Sequence, residues 1–148
     1  MVWGGICYYD LTELNVWDGT MRGQIYQDTI INNMVEPFHG AIGDNLRFLD
    51  DNARPHRDNS VLQHLHQLGI QVLPLPSRSP DLNPVEHAWD MLQRALENQS
   101  PAPNTLNDLS RLLPTLWRTL PLENLNNLVE SMPRSVEVIQ ARGGHTQY

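Results

Sequence analysis

The chain contains no lysine. All ten of its basic residues are arginine, against 17 aspartates and glutamates, and the formal net charge is −7. The arginines are scattered, the nearest pair being Arg54 and Arg57, so no basic stripe is legible on which phosphates could be neutralised. With Cys7 as its single cysteine, the sequence excludes an internal disulfide framework and a cysteine-rich zinc site. No stretch approaches the ~18 uninterrupted apolar residues of a transmembrane helix. Met1-Val2-Trp3-Gly4-Gly5 has neither the basic nor the apolar region of a secretory signal, so none is expected. Internal repeats and low-complexity tracts are also missing.

What remains is the composition of a globular domain: 148 residues, 40% hydrophobic and 18% charged. A chain of this length buries roughly 68–70% of the surface it exposes when unfolded. Its first 50 residues read as strand, strand, helix, strand. Val2–Tyr9 is rich in aromatic and β-branched residues, and Glu13–Trp17 follows closely enough for a hairpin. Asp18-Gly19 marks a turn. From Arg22 to about Val35, Tyr26, Ile30 and Met34 recur at helical spacing. Leu46–Asp50 reads as a short strand.

The next third alternates. Pro55–Leu68 carries Val61, Leu62, Leu65 and Leu68 on one helical face and closes at Gly69. Ile70–Leu75 is a short apolar strand, and Ser77–Leu82 a loop. A helix then starts with Asn83 as N-cap and Pro84 in the first turn, with Val85, Trp89, Leu92 and Leu96 as its stripe. Beyond Ser100 the pattern is helical. Leu106, Leu109, Leu113, Leu116 and Leu120 form one stripe that Pro114 is expected to kink or split. Leu122, Leu125, Leu128 and Met132 form a second, and Val136 and Ile139 open a last short helix. Strands alternating with helices, then a helical tail, imply an α/β fold with a mixed sheet. The chain divides in this reading into a core, 1–99, and a helical region, 100–148.

Two segments carry the chemistry. Asp51-Asn52-Ala53-Arg54-Pro55-His56 stands at the end of a strand, where an open α/β sheet places its functional groups. Ser79-Pro80-Asp81-Leu82-Asn83-Pro84-Val85-Glu86 leads into a helix and puts Glu86 in its first turn. Two carboxylates brought together from such positions can hold Mg²⁺, a hard ion that takes oxygen ligands. A pair of such ions ~3.5–4 Å apart clamps both oxygens of a phosphodiester displacement.

Each candidate has a plainer reading. Glu86 is the third helical residue after Asn83, the place of a capping-box carboxylate. Asp50 rivals Asp51 but points to the opposite face of the strand, and it reads as a solvated residue or a weak neighbouring charge. Asp81 shapes a turn with Pro80. His56 either orients a ligand or sits on the surface. His64 and His66 read as surface residues, and His87 faces away from Glu86. Cys7 is a small buried hydrophobe. Trp89 falls on the core stripe. Arg54 and Arg57 fit a solvated helix face as well as a phosphate contact.

The same two segments resemble the second and third motifs of the Tc/mariner superfamily of transposases, Asp-Asn-Ala-x-x-His and Ser-Pro-Asp-Leu-Asn-Pro-x-Glu. The 34 residues between Asp51 and Glu86 match one large branch of it. Val2-Trp3-Gly4-Gly5-Ile6, Asp18-Gly19, Tyr26, Ser131-Met132-Pro133-Arg134 and the closing Gly143-Gly144-x-x-x-Tyr148 are similar too. The resemblance implies a ribonuclease H-like α/β fold and Mg²⁺- or Mn²⁺-dependent cleavage and strand transfer of DNA in the nucleus. Asp51 and Glu86 would be the catalytic metal ligands. The family's first Asp lies upstream of the Trp-Gly-Gly segment, which here begins at residue 2. The resemblance thus implies a catalytic domain without its first, central strand, inactive alone, with open sheet edges that invite self-association. A module that binds protein or nucleic acid without catalysis is the rival reading.

One prediction follows from charge. With net charge −7 and dispersed arginines, the isolated chain should bind duplex DNA only non-specifically, at ~10⁻⁴ M or weaker at physiological salt. A gel-shift titration at that salt checks this, and sub-micromolar binding to a defined duplex would refute it.

Overall fold

A computed structural model describes residues 1–8, 10–73, 75 and 82–130 of the chain. They fall into two compact units. One holds Met1 and the described residues of 17–79, the other Val2–Val16 and the described residues from 80 onward.

The first unit is built on a long helix. Gly23–Tyr26 (α1) runs without a break into a π-helical stretch, Gln27–Val35, and on into Glu36–Ile42 (α2). The wider winding is visible where the Glu36 N–H donates to the Ile31 carbonyl, five residues back. Asn33 reinforces it by donating its side-chain amide to the Asp28 carbonyl at 2.8 Å. This winding alters the buried face. Tyr26, Ile30, Ile31 and Val35 are buried, whereas α-helical spacing points to Met34, which is only half-buried. The helix also runs on past Val35, ending at Gly43 with φ +80°.

Two parallel strands complete this unit, Arg47–Leu49 (β5) and Gln71–Leu73 (β6), in the register Arg47 to Gln71, Phe48 to Val72 and Leu49 to Leu73. The helix between them, Asn59–Gln67 (α3), starts later than the apolar pattern suggests. Residues 54–57 form a separate turn. Asp58 then takes extended backbone and caps α3, accepting from the Ser60 N–H at 3.0 Å, so the local cap sets the boundary. At its far end Gly69, at φ +74°, donates to His66 O while Ile70 donates to Leu65 O, the paired bonds of a Schellman ending. Val61 and Leu65 face inward to the unit's core. His64 is half-buried, with Nε2 2.7 Å from Asn32 Oδ1, rather than a free surface residue.

The second unit joins a hairpin to helices. The expected hairpin is present, broken into two ladders by Gly4-Gly5: Val2–Trp3 (β1) pairs with Asn15–Val16 (β4), and Ile6–Cys7 (β2) with Asp10–Leu11 (β3), all antiparallel. Asp10 therefore lies in a strand rather than in the turn. Cys7 is half-buried, and burial raises its thiol pKa. Among the described residues the strands form three two-stranded ladders.

The helices are Pro84–Glu97 (α4), Leu106–Arg118 (α5) and a helix over 122–130 (α6). Asn83 caps α4 as the sequence indicates, and Thr105 caps α5 by accepting from the Asp108 N–H at 3.0 Å. Pro114 lies inside α5 without splitting it. Its missing N–H costs one bond, while Leu113, Leu116 and Trp117 around it are buried, so packing holds the helix together. Leu106 stands at the first turn of α5 and is exposed, off the stripe assigned to it. The expected helix at Val136 and Ile139 lies outside the described residues.

A hairpin alone is marginal, and this one is anchored by Trp117. That fully buried indole donates Nε1–H to the Thr12 carbonyl at 2.9 Å and stacks on Trp89 at 4.9 Å between ring centroids. Trp89 is thus core. The Trp-Gly-Gly segment has a steric reason as well. A Cβ on Gly4 would sit 2.9 Å from both Leu14 Cδ1 and Trp117 Cζ2. Gly4→Ala should therefore overpack this core and cost about 1–3 kcal/mol, lowering the midpoint by ~2–4 °C per kcal/mol. Gly40→Ala, with nothing within 4 Å in α2, should be neutral or slightly stabilising. Thermal unfolding of the two variants checks this. Equal effects would mean that Gly4 does not face the indole.

Candidate metal-binding carboxylates

Asp51 follows β5 on a turn whose bonds explain its direction. Asn52 occupies the left-handed region at φ +61°, a conformation Asn tolerates better than most residues. Its N–H donates to Asp50 Oδ1 at 3.1 Å, and its side-chain amide donates to the Leu75 carbonyl at 2.8 Å. Its Oδ1 accepts from Arg57 Nε at 2.7 Å. Arg57 also donates through Nη2 to Asp50 Oδ1 at 2.5 Å. Asp50 is therefore buried, its side chain 4% exposed and paired with Arg57. This corrects the reading of Asp50 as solvated and of Arg57 as a residue on a solvated helix face.

Asp51 turns the other way, its side chain 54% exposed. Its Oδ1 accepts from the Ala53 N–H at 3.0 Å and lies 2.7 Å from His56 Nδ1. His56 is mostly buried and lies against the Tyr26 ring, with 4.3 Å between centroids. Of its two readings, the one in which it orients a neighbour matches this placement. The His56 contact, helped by the Ala53 N–H, holds the Asp51 carboxyl below the usual carboxylate range, while partial burial pulls weakly the other way. Among the described residues Asp51 Oδ2 accepts no hydrogen bond, which leaves a hard oxygen donor to spare.

Glu86 belongs to the other unit. It lies in the first turn of α4 and is exposed. Asn83 Oδ1 accepts from the Val85 N–H at 3.4 Å, and the Glu86 N–H donates to the Asn83 carbonyl at 3.1 Å. Among the described residues the Glu86 carboxylate makes no hydrogen bond, so the reciprocal half of a capping box is not formed. No group of three or more His, Cys, Asp or Glu side chains gathers into a metal cage among those residues. Asp81 lies outside them. Asp51 and Glu86 both offer carboxylate oxygens to solvent, the donor type a hard divalent cation takes. Sequence reasoning missed the part played by Asp50 and Arg57. The available signal was Arg57 itself, placed seven residues after a second carboxylate across a turn containing Pro55.

Residues 1–109 match the family described as DDE superfamily endonuclease. The whole chain is 33% identical to the Tcb1 transposase of Caenorhabditis briggsae and 30% identical to the Tc3 transposase of Caenorhabditis elegans. It spans 54% and 45% of those proteins, about half their length. Among solved structures, the catalytic domain of Mos1 transposase, determined with raltegravir and Mg, superposes with a TM-score of 0.75 at 21% identity, over 99% of this chain and 75% of that one. The Mos1 strand transfer complex gives 0.67 at 24% identity, over 91% and 39%. The fold is thus the ribonuclease H-like α/β fold of those catalytic domains. The chain belongs to the DDE superfamily endonucleases, in their Tc/mariner transposase group.

The depressed Asp51 carboxyl has a consequence for stability. A carboxyl whose pKa falls on folding contributes fully above its unfolded value, near 3.8, and loses that contribution as pH drops through the folded value. The stability gap between the native chain and Asp51→Asn should therefore be full above about pH 4 and close as pH falls below it. Urea unfolding at a series of pH values measures the gap. A gap unchanged down to pH 2.5 would show that the His56 contact does not bind the ionised form.

Proposed function

We propose that this chain carries the second and third acidic ligands, Asp51 and Glu86, of a transposase site that cleaves and joins DNA with Mg²⁺ or Mn²⁺. In a eukaryotic cell that work belongs in the nucleus. The observation that carries the reading is the opposed setting of two adjacent carboxylates. Asp50 is turned inward onto Arg57, and Asp51 is turned outward with an oxygen to spare. The unbonded Glu86 carboxylate supports a ligand over a cap, because Asn83 caps α4 without it. The Mos1 relatives support the class of reaction, being solved with Mg or Mn and in a strand transfer complex.

In this reading His56 holds one oxygen of Asp51, so that the other remains directed to solvent. Glu86 offers its carboxylate from the helix start. When bound, the metal supplies activation of water or a 3′-hydroxyl and offsets charge developing at phosphorus. The 148 residues contain no counterpart, by motif, of the family's first Asp. Asp10 pairs in the hairpin and Asp18 lies in the turn before α1. Two carboxylates leave a metal under-ligated, so the chain by itself should not cut DNA. Residues 1–99 would be the catalytic core and 100–148 its helical extension.

The test supplies the missing ligand. A strand of the family's type ending in Asp is joined ahead of Val2, with a DNA-binding domain tethered for affinity. This fusion should gain Mg²⁺- or Mn²⁺-dependent nicking of plasmid DNA. Asp51→Asn or Glu86→Gln should then lower nicking by at least 100-fold, on the order of 2.7 kcal/mol in the barrier. Asp81→Asn should be far milder. A fusion that nicks DNA and tolerates Glu86→Gln would remove Glu86 from the site.

A further inference from the structure

We infer that Arg57 and Asp50 are positioning residues, and that the Arg57 guanidinium, through Asn52, sets the direction of Asp51. The inference rests on the reading of Asp51 as a metal ligand and adds a device to it.

Asp51 is one of three consecutive residues on the turn, and both its neighbours are tied to the interior. Asp50 accepts twice on one oxygen, from the Asn52 N–H and from Arg57 Nη2. Asn52 is bonded on three sides: its N–H to Asp50, its amide to the carbonyl of Leu75 and its oxygen to Arg57 Nε. The guanidinium thus spans two residues through two different nitrogens, on either side of Asp51. These bonds hold Asn52 at φ +61°, an uncommon conformation for a residue with a side chain, so Asp51 stands between two neighbours whose positions are fixed. The bond to Leu75 ties the turn to the chain just beyond β6. His56, mostly buried against Tyr26, completes the arrangement by contacting Asp51 itself.

The geometry demands arginine rather than a positive charge. Lysine has one nitrogen on a flexible stem and cannot meet Asn52 Oδ1 and Asp50 Oδ1 from a rigid fork. Arg57→Lys keeps the charge opposite Asp50 while removing the fixed double contact. It separates a role in aiming Asp51 from simple neutralisation of a buried acid.

The experiment uses the 148-residue chain with Mn²⁺ as the probe, read by nuclear magnetic resonance. In the metal-free protein, Asn52 should show the strong contact between its own amide and α protons that a positive φ produces. On Mn²⁺ titration, the Asn52 and Ala53 amides should broaden in a saturable way. Arg57→Lys should weaken the Asn52 signature and raise the Mn²⁺ concentration for half-broadening at least 5-fold, with a thermal midpoint close to the native one. Asn52→Gly, which permits the positive φ but deletes both side-chain bonds, should raise the Mn²⁺ concentration for half-broadening by a similar factor and supplies that part of the reading if the lysine variant does not fold.

An Asn52 signature and an Mn²⁺ response both unchanged in Arg57→Lys would overturn the inference. So would an altered signature with unchanged Mn²⁺ response, since the clamp would then not aim the ligand. If the native chain shows no saturable broadening at Asn52 or Ala53, Asp51 does not hold Mn²⁺ with the ligands this chain supplies, and the part of the inference that concerns the metal is overturned. Loss of the Asn52 signature in Arg57→Lys would still establish the clamp in that case.

Discussion

A carboxylate placed inside a protein must be answered by charge or hydrogen bonds, because desolvation of an unpaired ion costs several kcal/mol. Asp50 is in that position, and Arg57 answers it. One guanidinium nitrogen meets Asp50 and another meets Asn52, so the ion pair also fixes the backbone of the turn after β5. Asp51 stands between the two residues so fixed. A charge-assisted hydrogen bond of this kind contributes ~1.5–3 kcal/mol when well buried, less here because Arg57 is partly exposed. Its consequence for function lies in geometry more than in stability.

The other unit solves a similar problem at a helix start. The first N–H groups of α4 need acceptors, and Asn83 supplies one from its side chain. Pro84 has no N–H to satisfy. Glu86 takes no part in the cap, and its side chain is exposed. The unit is held by the Trp117 indole, whose bond to Thr12 and close approach to Gly4 join the hairpin to α5.

Much of this was legible in the sequence where the signal is local. The N-cap at Asn83 with Pro84 and the Gly69 ending of α3 are each set by residue types with a favoured backbone role, and the hairpin by its aromatic and β-branched strands. The two motifs around Asp51 and Glu86 are long enough to identify the family by themselves. What was not legible depends on packing. The π winding of Gln27–Val35 moves burial from Met34 to Val35, and no α-helical periodicity anticipates it. The start of α3 was misplaced because the Asp58 cap competes with an apolar pattern that runs through it. The burial of Asp50 was missed because a three-residue strand is too short for its alternation to reveal which face is covered. Leu106 illustrates the same point, since helical spacing assigns a face but not where the partner surface ends.

The central proposal is that Asp51 and Glu86, carried on separate segments, serve one cation. Fe²⁺ in place of Mg²⁺, with peroxide and ascorbate, cuts a polypeptide backbone close to where the metal sits. In the protein completed with an upstream Asp-bearing strand, the account predicts cuts next to Asp51 and next to Glu86, both lost in Asp51→Asn. Cuts confined to one of the two segments, or a pair that persists in that variant, would contradict it.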